Sequence, residues 1–353
     1  MDDAVYADEY WQTGRSGSTA ALVSVLLCLT ALVTAATAVA LLTVVTPAVL
    51  PGSNLYIPGV TQALGGLAVE APGPEHPFNR PISILVMGVD QRPGESNLSV
   101  RTDSIAVVRL DPATHRATVL SVPRDMWVTI HAPSGEVYQD RVNESYQVGA
   151  SHGGSIAAGA RQLMRDLEAN FGIEADHYAW LQMSGAHTLI DARGGIDVTI
   201  PESLGVPDWR YTEDDVTNPQ VLSFPPGEHH LSGYEAVAFS RYRGDSDLYR
   251  AQRQQLVLRS LLADPFSAEI LLNPIDALQA ATTTVKSDLS VARLATLALL
   301  ASRSSDSIET YSLGQDVNGA PTVFHMVTAD GAAVLDWNPG NVAFLVEQAR
   351  ATR

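Results

Sequence analysis

Short apolar segments rich in β-branched residues recur along the chain and predict buried strands. Residues 82–89 (ISILVMGV), 104–110 (SIAVVRL) and 117–122 (ATVLSV) are each followed by a proline or a charged residue. Continuous apolar runs of this length are typical of central strands that are covered on both faces. The segments 177–183 (HYAWLQM) and 196–200 (IDVTI) are also strand-like.

An apolar repeat at intervals of three and four residues predicts a helix over residues 155–171. The repeating positions are Ile156, Ala160, Leu163, Met164, Leu167 and Phe171. Ser155 can cap the start of this helix, and Gly172 can end it. A second helix is predicted over 248–262, where an Asp-Pro pair follows, and a weaker one over 291–302. Strands that alternate with helices within one stretch predict a layered α/β domain.

The N-terminal part of the chain contains a long uncharged run. No charged residue occurs between Arg15 and Glu70, and residues 20–45 consist only of Ala, Val, Leu, Cys, Ser and Thr. About 20 apolar residues suffice to cross a bilayer, so we predict a transmembrane helix over residues 20–46. A cleaved signal peptide is the alternative, but the leader lacks a basic n-region and the run is too long. Arg15 on the N-terminal flank predicts a cytoplasmic N-terminus.

These boundaries divide the chain into four parts. Residues 1–19 form a short cytoplasmic tail, and residues 20–46 anchor the protein in the cell membrane by a single pass. Residues 47–80 are rich in proline and glycine and are interpreted as a stalk. Residues 81–353 form the extracytoplasmic α/β domain.

Charge and cysteine content exclude several classes of function. The chain has 39 acidic and 22 basic residues and a formal net charge of -17. No nucleic-acid partner is predicted, because binding to phosphate backbones relies on a basic surface. The single cysteine, Cys28, excludes an intramolecular disulfide and a thiolate metal cluster.

Two aspartates flank the first two predicted strands. Asp90 directly follows one strand and Asp103 directly precedes the next. If these strands are neighbours, the two carboxylates meet at one edge of the sheet. A carboxylate pair together with phosphate oxygens is a common way to hold Mg²⁺. The alternative is that both aspartates cap turns, which aspartate does well.

Arginines are concentrated at two places that can hold an anion. Arg124 follows a strand end in SVPRD, where an ordinary surface pair with Asp125 is the alternative. The segment 240–255 carries a second group, whose members are Arg241, Arg243, Arg250 and Arg253. In an extended segment the first two of these arginines share one face. Arginines at the start of the 248–262 helix lie at the positive end of its dipole, where a cation is unfavourable. A bound phosphate would offset this unfavourable interaction. The alternative is a solvated ion-pair network with Asp245 and Asp247.

Taken in order, seven segments resemble the LytR-CpsA-Psr family of cell-wall glycopolymer ligases. They are ILVMGVDQRPG, RTDSIAVVRLD, TVLSVPRDMWV, RVNESY, GGSIAAGARQLMRDLEANFGIEADHYAWL, LIDARGGIDV and PGEHHLSGYEAVAFSRYRGDSDLYRAQRQQLVL. The resemblance covers about residues 82–260. It implies a central mixed β-sheet sandwiched by helices, and a long apolar pocket for a prenyl chain. The outward domain behind a membrane anchor is also similar to that family.

The resemblance implies a phosphotransferase with Mg²⁺ as cofactor. Such enzymes move a glycopolymer from a polyprenyl-pyrophosphate carrier to a peptidoglycan sugar hydroxyl and release polyprenyl phosphate. By family position, Asp90 and Asp103 hold the metal. The positions that match the family's pyrophosphate-binding residues are Arg101, Arg124, Arg241, Arg243, Arg250 and Gln254. Asp103, Arg124 and Arg243 are the predicted catalytic residues, with Asp103 able to assist removal of the acceptor proton.

Two other functions remain open at this point. A polyprenyl-pyrophosphate hydrolase would use the same residues with water as the acceptor. A non-catalytic protein that binds the wall polymer or regulates its attachment would hold the lipid-linked polymer without turnover. No role is assigned to residues 265–353.

Overall fold

The computed structural model describes residues 80–89, 96–114, 116–182, 185–211, 220–242, 273–289 and 308–351, with isolated positions from 244 to 269 and at 293. Within this described part, no helix is long and apolar enough to cross a bilayer. The transmembrane helix predicted over 20–46 lies outside the described residues. So does nearly all of the predicted stalk, and so do most of the helices predicted over 248–262 and 291–302.

The described elements are numbered in chain order. The strands are β1 (Ile82–Val89), β2 (Ser104–Asp111), β3 (Arg116–Val122), β4 (Trp127–His131), β5 (Val137–Arg141), β6 (His177–Gln182), β7 (Ile196–Ile200), β8 (Val206–Tyr211), β9 (Gln220–Phe224), β10 (Gly227–Leu231), β11 (Val285–Ser287), β12 (Ile308–Ser312), β13 (Val323–Val327) and β14 (Ala333–Trp337). The helices are α1 (Glu144–Gly153), α2 (Ile156–Phe171), α3 (Ala186–Asp191), α4 (Gly233–Arg241), α5 (Pro274–Thr284) and α6 (Pro339–Arg350). The five strands predicted from the sequence are confirmed to within one residue at either end.

The chain divides into two compact units. Among the described residues, the first unit comprises 80–181 and 308–351, and the second comprises 182–293. The first unit is therefore assembled from two separate stretches of sequence.

The first unit contains a mixed sheet in which five strands lie in the order β6-β1-β2-β3-β12. β2 is antiparallel to both β1 and β3, whereas β12 is parallel to β3. The predicted α/β class with a central mixed sheet is thus confirmed. Helix α6 packs on β3 and β12 and also contacts α2. Two hairpins, β4–β5 and β13–β14, and helix α1 also belong to this unit.

One face of this sheet changes from apolar to polar along the strands. Two apolar rows run across β1, β2 and β3, and they are Met87, Ile105 and Val122, then Leu85, Val107 and Leu120. These side chains share a buried cluster with Leu163, Leu167, Val342 and Val346 of α2 and α6. The next row on the same face consists of Ser83, Arg109 and Thr118. This face is therefore apolar in the middle of the strands and polar near the start of β1, the end of β2 and the start of β3.

Helix α2 has the termini that the sequence predicts. Ser155 accepts a hydrogen bond from the Ala158 amide at 3.2 Å, and Gly172 ends the helix with a φ of 69°. A side chain at Gly172 would be strained, because its backbone is left-handed.

Helices α1 and α2 approach closely because glycines face the contact. A Cβ at Gly159 would lie 2.7 Å from the Tyr146 ring, and one at Gly149 would lie 2.3 Å from Cβ of Gln162. The Tyr146 side chain is buried in this contact, and its hydroxyl donates to the Asn97 carbonyl at 2.9 Å. The helix pair therefore anchors the segment that leads into β2.

The second unit contains two described strand pairs, β7–β10 and β8–β9. Helix α4 begins with a capping box, in which Ser232 and Glu235 satisfy each other's backbone amides. The Asp191 carboxylate accepts the Gly233 amide at 2.7 Å and so ties the end of α3 to the start of α4.

Candidate functional site

One edge of the first unit's sheet collects the end of β1, the start of β2 and the end of β3. Gly88 lies opposite Ser104, and the Asp103 amide donates to the Gly88 carbonyl at 2.8 Å. The prediction that the strands flanking Asp90 and Asp103 are neighbours is therefore confirmed. Asp90 itself lies outside the described residues. Its partnership with Asp103 in holding a metal stays a prediction.

Arg124 and Asp103 form an ion pair at this edge. They are brought together because Ile105, two positions into β2, lies opposite Val122 at the end of β3. The Arg124 side chain also lies 3.5 Å from an Asp125 carboxylate oxygen, so the surface-pair alternative describes only part of its environment. Burial disfavours the charged guanidinium, but Asp125 and Asp103 outweigh it and raise the pKa of Arg124. Arg124 therefore stays a cation at every physiological pH.

The turn that carries Arg124 is fixed by backbone hydrogen bonds from two other segments and by a side-chain ion pair. The Arg124 carbonyl accepts the Asn143 amide at 3.3 Å, and the Asp125 carbonyl accepts the Leu335 amide at 2.9 Å. The Arg141 guanidinium lies 3.4 Å from the Asp125 carboxylate and donates to the Ala333 carbonyl at 3.0 Å. A guanidinium in a fixed turn loses little conformational entropy when it binds an anion.

Arg101 has a partner that the sequence analysis did not anticipate. It forms an ion pair with Glu144, the first residue of α1, and about half of its side chain is exposed. Glu144 lies in the RVNESY segment, but nothing in that segment identifies Arg101 as its partner. The contact uses Nε of Arg101, so the terminal nitrogens of the guanidinium are the predicted phosphate donors.

Several buried polar atoms near this edge have no hydrogen-bond partner among the described residues. They are Oγ1 of Thr102, Oδ1 of Asn143 and Oγ of Ser145. Buried polar atoms normally have a hydrogen-bond partner. At these three atoms the described residues leave the hydrogen-bonding capacity unused. Burial raises the pKa of the neighbouring Tyr146, which therefore stays a neutral hydrogen-bond donor.

The second unit places Arg241 differently from the sequence interpretation. Arg241 is the last residue of α4, not part of an extended segment. A cation is favoured at a helix C-terminus, so Arg241 opposes no helix dipole there. The expectation that it shares an extended face with Arg243 is corrected accordingly. Arg243, Arg250 and Gln254 lie outside the described residues, and their roles stay predictions.

Arg253 is held by a buried ion pair. Its side chain has no exposed surface, and its two terminal nitrogens donate to the two Asp245 oxygens at 2.7 and 2.6 Å. It also donates to the Tyr242 carbonyl at 3.1 Å and lies 5.1 Å from the centre of the Tyr242 ring. For this arginine, the ion pair with Asp245 in the alternative interpretation is confirmed, but the pair is buried rather than solvated. Arg253 fixes the chain immediately after Arg241.

The donor set fits Mg²⁺ in part. In the described portion of the chain, no three His, Cys, Asp or Glu side chains form a metal-binding cluster. One oxygen of the half-exposed Asp103 carboxylate faces Arg124, and the other has no hydrogen bond among the described residues. Mg²⁺ usually takes only one or two protein carboxylates and fills the other positions with water and phosphate oxygens. Asp103 is thus an acceptable ligand, with Asp90 as its predicted companion.

A family model matches most of the chain. The model of the LytR_cpsA_psr family matches residues 69–338. The Bacillus cereus protein called polyisoprenyl-teichoic acid–peptidoglycan teichoic acid transferase TagU is 29% identical over 214 residues, which are 60% of this chain and 61% of that protein. The Staphylococcus aureus regulatory protein MsrR is 32% identical over 194 residues, which are 53% of this chain and 51% of that protein. The chain spans a little more than half the length of these curated relatives.

Solved structures share the fold. Protein gbs0355 from Streptococcus agalactiae superposes with a TM-score of 0.56 at 22% identity, over 77% of this chain and 87% of that one. Bacillus subtilis TagV superposes with a TM-score of 0.53 at 24% identity, over 77% of this chain and 97% of that one.

Proposed function

The chain belongs to the LytR_cpsA_psr family, and from that premise we propose that it is a phosphotransferase that attaches a glycopolymer to peptidoglycan. The name of the Bacillus cereus relative describes transfer of teichoic acid to peptidoglycan. The observation that carries the proposal is the pairing of Asp103 with Arg124, since it joins two of the family's motif segments at one sheet edge.

The proposed donor is a glycopolymer on a polyprenyl pyrophosphate, and the acceptor is a sugar hydroxyl of peptidoglycan. The acceptor oxygen attacks the phosphorus that carries the polymer, and the P–O bond to the second phosphate breaks. Polyprenyl phosphate leaves, a phosphodiester forms, and the hydroxyl proton is lost. Transfer of this kind needs positioning and charge neutralisation more than covalent help from the protein.

The residues of the chain divide these tasks. Arg124 neutralises charge on the pyrophosphate, together with Arg101, Arg241, Arg243, Arg250 and Gln254 as the other proposed contacts. Guanidinium groups suit this role because they bind phosphate oxygens in a bidentate manner. Mg²⁺, when bound by Asp90 and Asp103, supplies further positive charge at the phosphates. Asp103 is also proposed to assist removal of the hydroxyl proton.

Reconstituted transfer is the test of this function. The full-length chain in detergent is mixed with a synthetic polyprenyl-pyrophosphate oligosaccharide and soluble peptidoglycan fragments. We expect a covalent adduct and one polyprenyl phosphate per adduct, and both should require the acceptor. Phosphorylated oligosaccharide released equally without the acceptor would instead identify a hydrolase. Saturable binding of the donor without turnover would identify a non-catalytic protein, a possibility consistent with the regulatory name of MsrR.

We also propose that residues 20–46 anchor the chain by a single pass, with residues 81–353 outside the membrane. The support is the uncharged run, which exceeds the roughly 20 residues needed to cross a bilayer. Protease added to intact spheroplasts should digest the chain beyond residue 47 and leave the N-terminal tail protected. Full protection of the α/β domain, or a mature N-terminus near Ala40, would contradict this arrangement.

A further inference from the structure

A cavity of about 520 Å³ opens in the first unit at the end of the sheet away from Asp103 and Arg124. The start of β1, the end of β2 and the start of β3 form its floor, and α2 and α6 form part of its wall. Asp103 precedes β2 and Arg124 follows β3, so the proposed transfer site uses the opposite ends of the same strands. Cavities of roughly 300–1,000 Å³ are the usual size for small-molecule ligands.

Arginines dominate the charge of this cavity, although the protein as a whole is acidic. The basic lining residues are Arg80, Arg109, Arg161, Arg165 and Arg350. The acidic ones are Glu168, Glu174 and Asp176, so five cations face three carboxylates and leave a surplus of two positive charges. A local surplus of this sign in a chain with a net charge of -17 needs a physical reason.

Part of the surplus is not neutralised by the neighbouring carboxylates. Arg80 pairs with Asp176 at 2.7 Å, and Arg350 pairs with Glu174 at 3.2 Å. Asp111 interacts electrostatically with Arg109 from two positions along β2, but no ion pair within 4 Å connects Arg109 or Arg161 to any carboxylate among the described residues. These two cations therefore remain available to an anion that enters the cavity.

The polar row of the sheet lies at the floor. Thr118 is 1% exposed, and its neighbour across the β2–β3 ladder is Arg109. Within the part of the chain that the structure describes, neither Oγ1 of Thr118 nor Nε of Arg109 has a hydrogen-bond partner. An unpaired buried polar group destabilises a protein, so two adjacent ones at a cavity floor are unfavourable without a ligand.

We propose that this cavity binds the phosphate monoester group of a small molecule, with Arg109 and Thr118 beneath the phosphate and Arg161 at the cavity wall. Guanidinium and hydroxyl groups are the donors that phosphate oxygens accept, and the two surplus positive charges match a dianion. The site is separate from the proposed transfer site, because it is built on the other ends of the strands.

Isothermal titration of the full-length chain with ribose 5-phosphate tests the proposal. We expect saturable binding to the wild type, and binding to Arg109→Gln that is roughly ten- to a hundredfold weaker. Thr118→Val should weaken binding as well, yet raise the melting temperature of the ligand-free protein, because it removes an unpaired hydroxyl. A Thr118 that serves structure alone predicts the reverse, namely a lower melting temperature with unchanged affinity.

Two matched variants separate this site from other anion sites. Arg116→Gln removes an arginine at the start of β3 that does not line the cavity, and it should leave the affinity unchanged. Arg124→Lys should also leave it unchanged, even if it abolishes transfer. The proposal is overturned if the wild type does not bind ribose 5-phosphate, if acetate binds equally well, or if Arg124→Lys rather than Thr118→Val weakens binding. Because Thr118→Val decides the matter by itself, a poorly folded Arg109→Gln would not obscure the result.

Discussion

Replacement of Asp103 by asparagine is expected to lower glycopolymer transfer by roughly 10²–10⁴-fold, the usual range for loss of a positioned acid–base group. Arg124→Ala should produce a loss of similar size. The two side chains form one ion pair, so each holds the other in position at the sheet edge. The double variant should therefore lose little more than either single variant, because residues that act as a unit are strongly non-additive. Initial rates in the reconstituted assay measure all three values.

The same two strands offer a matched control. Asp111 and Arg116 lie opposite each other at the far ends of β2 and β3. Asp111→Asn and Arg116→Ala therefore make the same chemical changes in the same strands, away from the proposed site. Transfer should stay near the wild-type rate in both. Multiplicative losses in the Asp103 and Arg124 double variant would show that the two residues act independently, and equal losses in the controls would show a general effect on the sheet.

The second large effect is expected on stability. Asp245→Ala should destabilise the second unit by about 3–5 kcal/mol, because it leaves the fully buried Arg253 without its counter-charge. Urea denaturation, followed by the change in midpoint, measures this loss. Replacing both partners, as in Asp245→Leu with Arg253→Met, should recover much of the stability, since an apolar pair needs no counter-charge. Asp208→Ala, at an exposed position of β8, is the control and should have little effect.

The activity of these variants also separates two roles for Arg253. If Arg253 only fixes the chain after Arg241, the recovered double variant should bind the lipid pyrophosphate nearly as well as the wild type. If Arg253 contacts phosphate directly, Asp245→Ala should instead leave the midpoint almost unchanged, and Arg253→Met should abolish binding. The second result would contradict the structural role that its buried contacts assign to it.

Five of the fourteen described strands, and helix α2, could be predicted because their local signals agree with their tertiary environment. β1 to β3 are continuous apolar runs that the fold buries, and α2 carries both its periodic apolar face and its end residues. Helix α1 could not be predicted, because ESYQVGASHG has no comparable apolar stripe and the close approach of its Gly149 to α2 is visible only in the structure. Helix α6 lies in the region to which no role was assigned, although Asn338 and Pro339 are good starting residues.

At the candidate site, the sequence could predict that two residues lie close together only where the pairing of adjacent strands brings them together. Asp103 and Arg124 each stand next to a strand end, so the antiparallel order of β2 and β3 is enough to bring them together. The role of Arg253 could not be predicted, because a phosphate contact and a buried ion pair use the same residue type at the same spacing. The row of Ser83, Arg109 and Thr118 was invisible for a different reason. Each residue sits alone in an otherwise apolar strand, and only the register aligns the three.

The first unit is discontinuous, and this has a consequence for the order of events during synthesis. Strand β12 pairs in parallel with β3, and the Ser121 hydroxyl donates to a carbonyl 190 residues further along the chain. Until β12 has been made, β3 is an open edge whose amides and carbonyls can recruit strands of other molecules. Closing so long a loop is also slow. A nascent chain that has passed residue 181 but not residue 312 is therefore the form most exposed to aggregation, and any fragment that stops short of β12 inherits that hazard permanently.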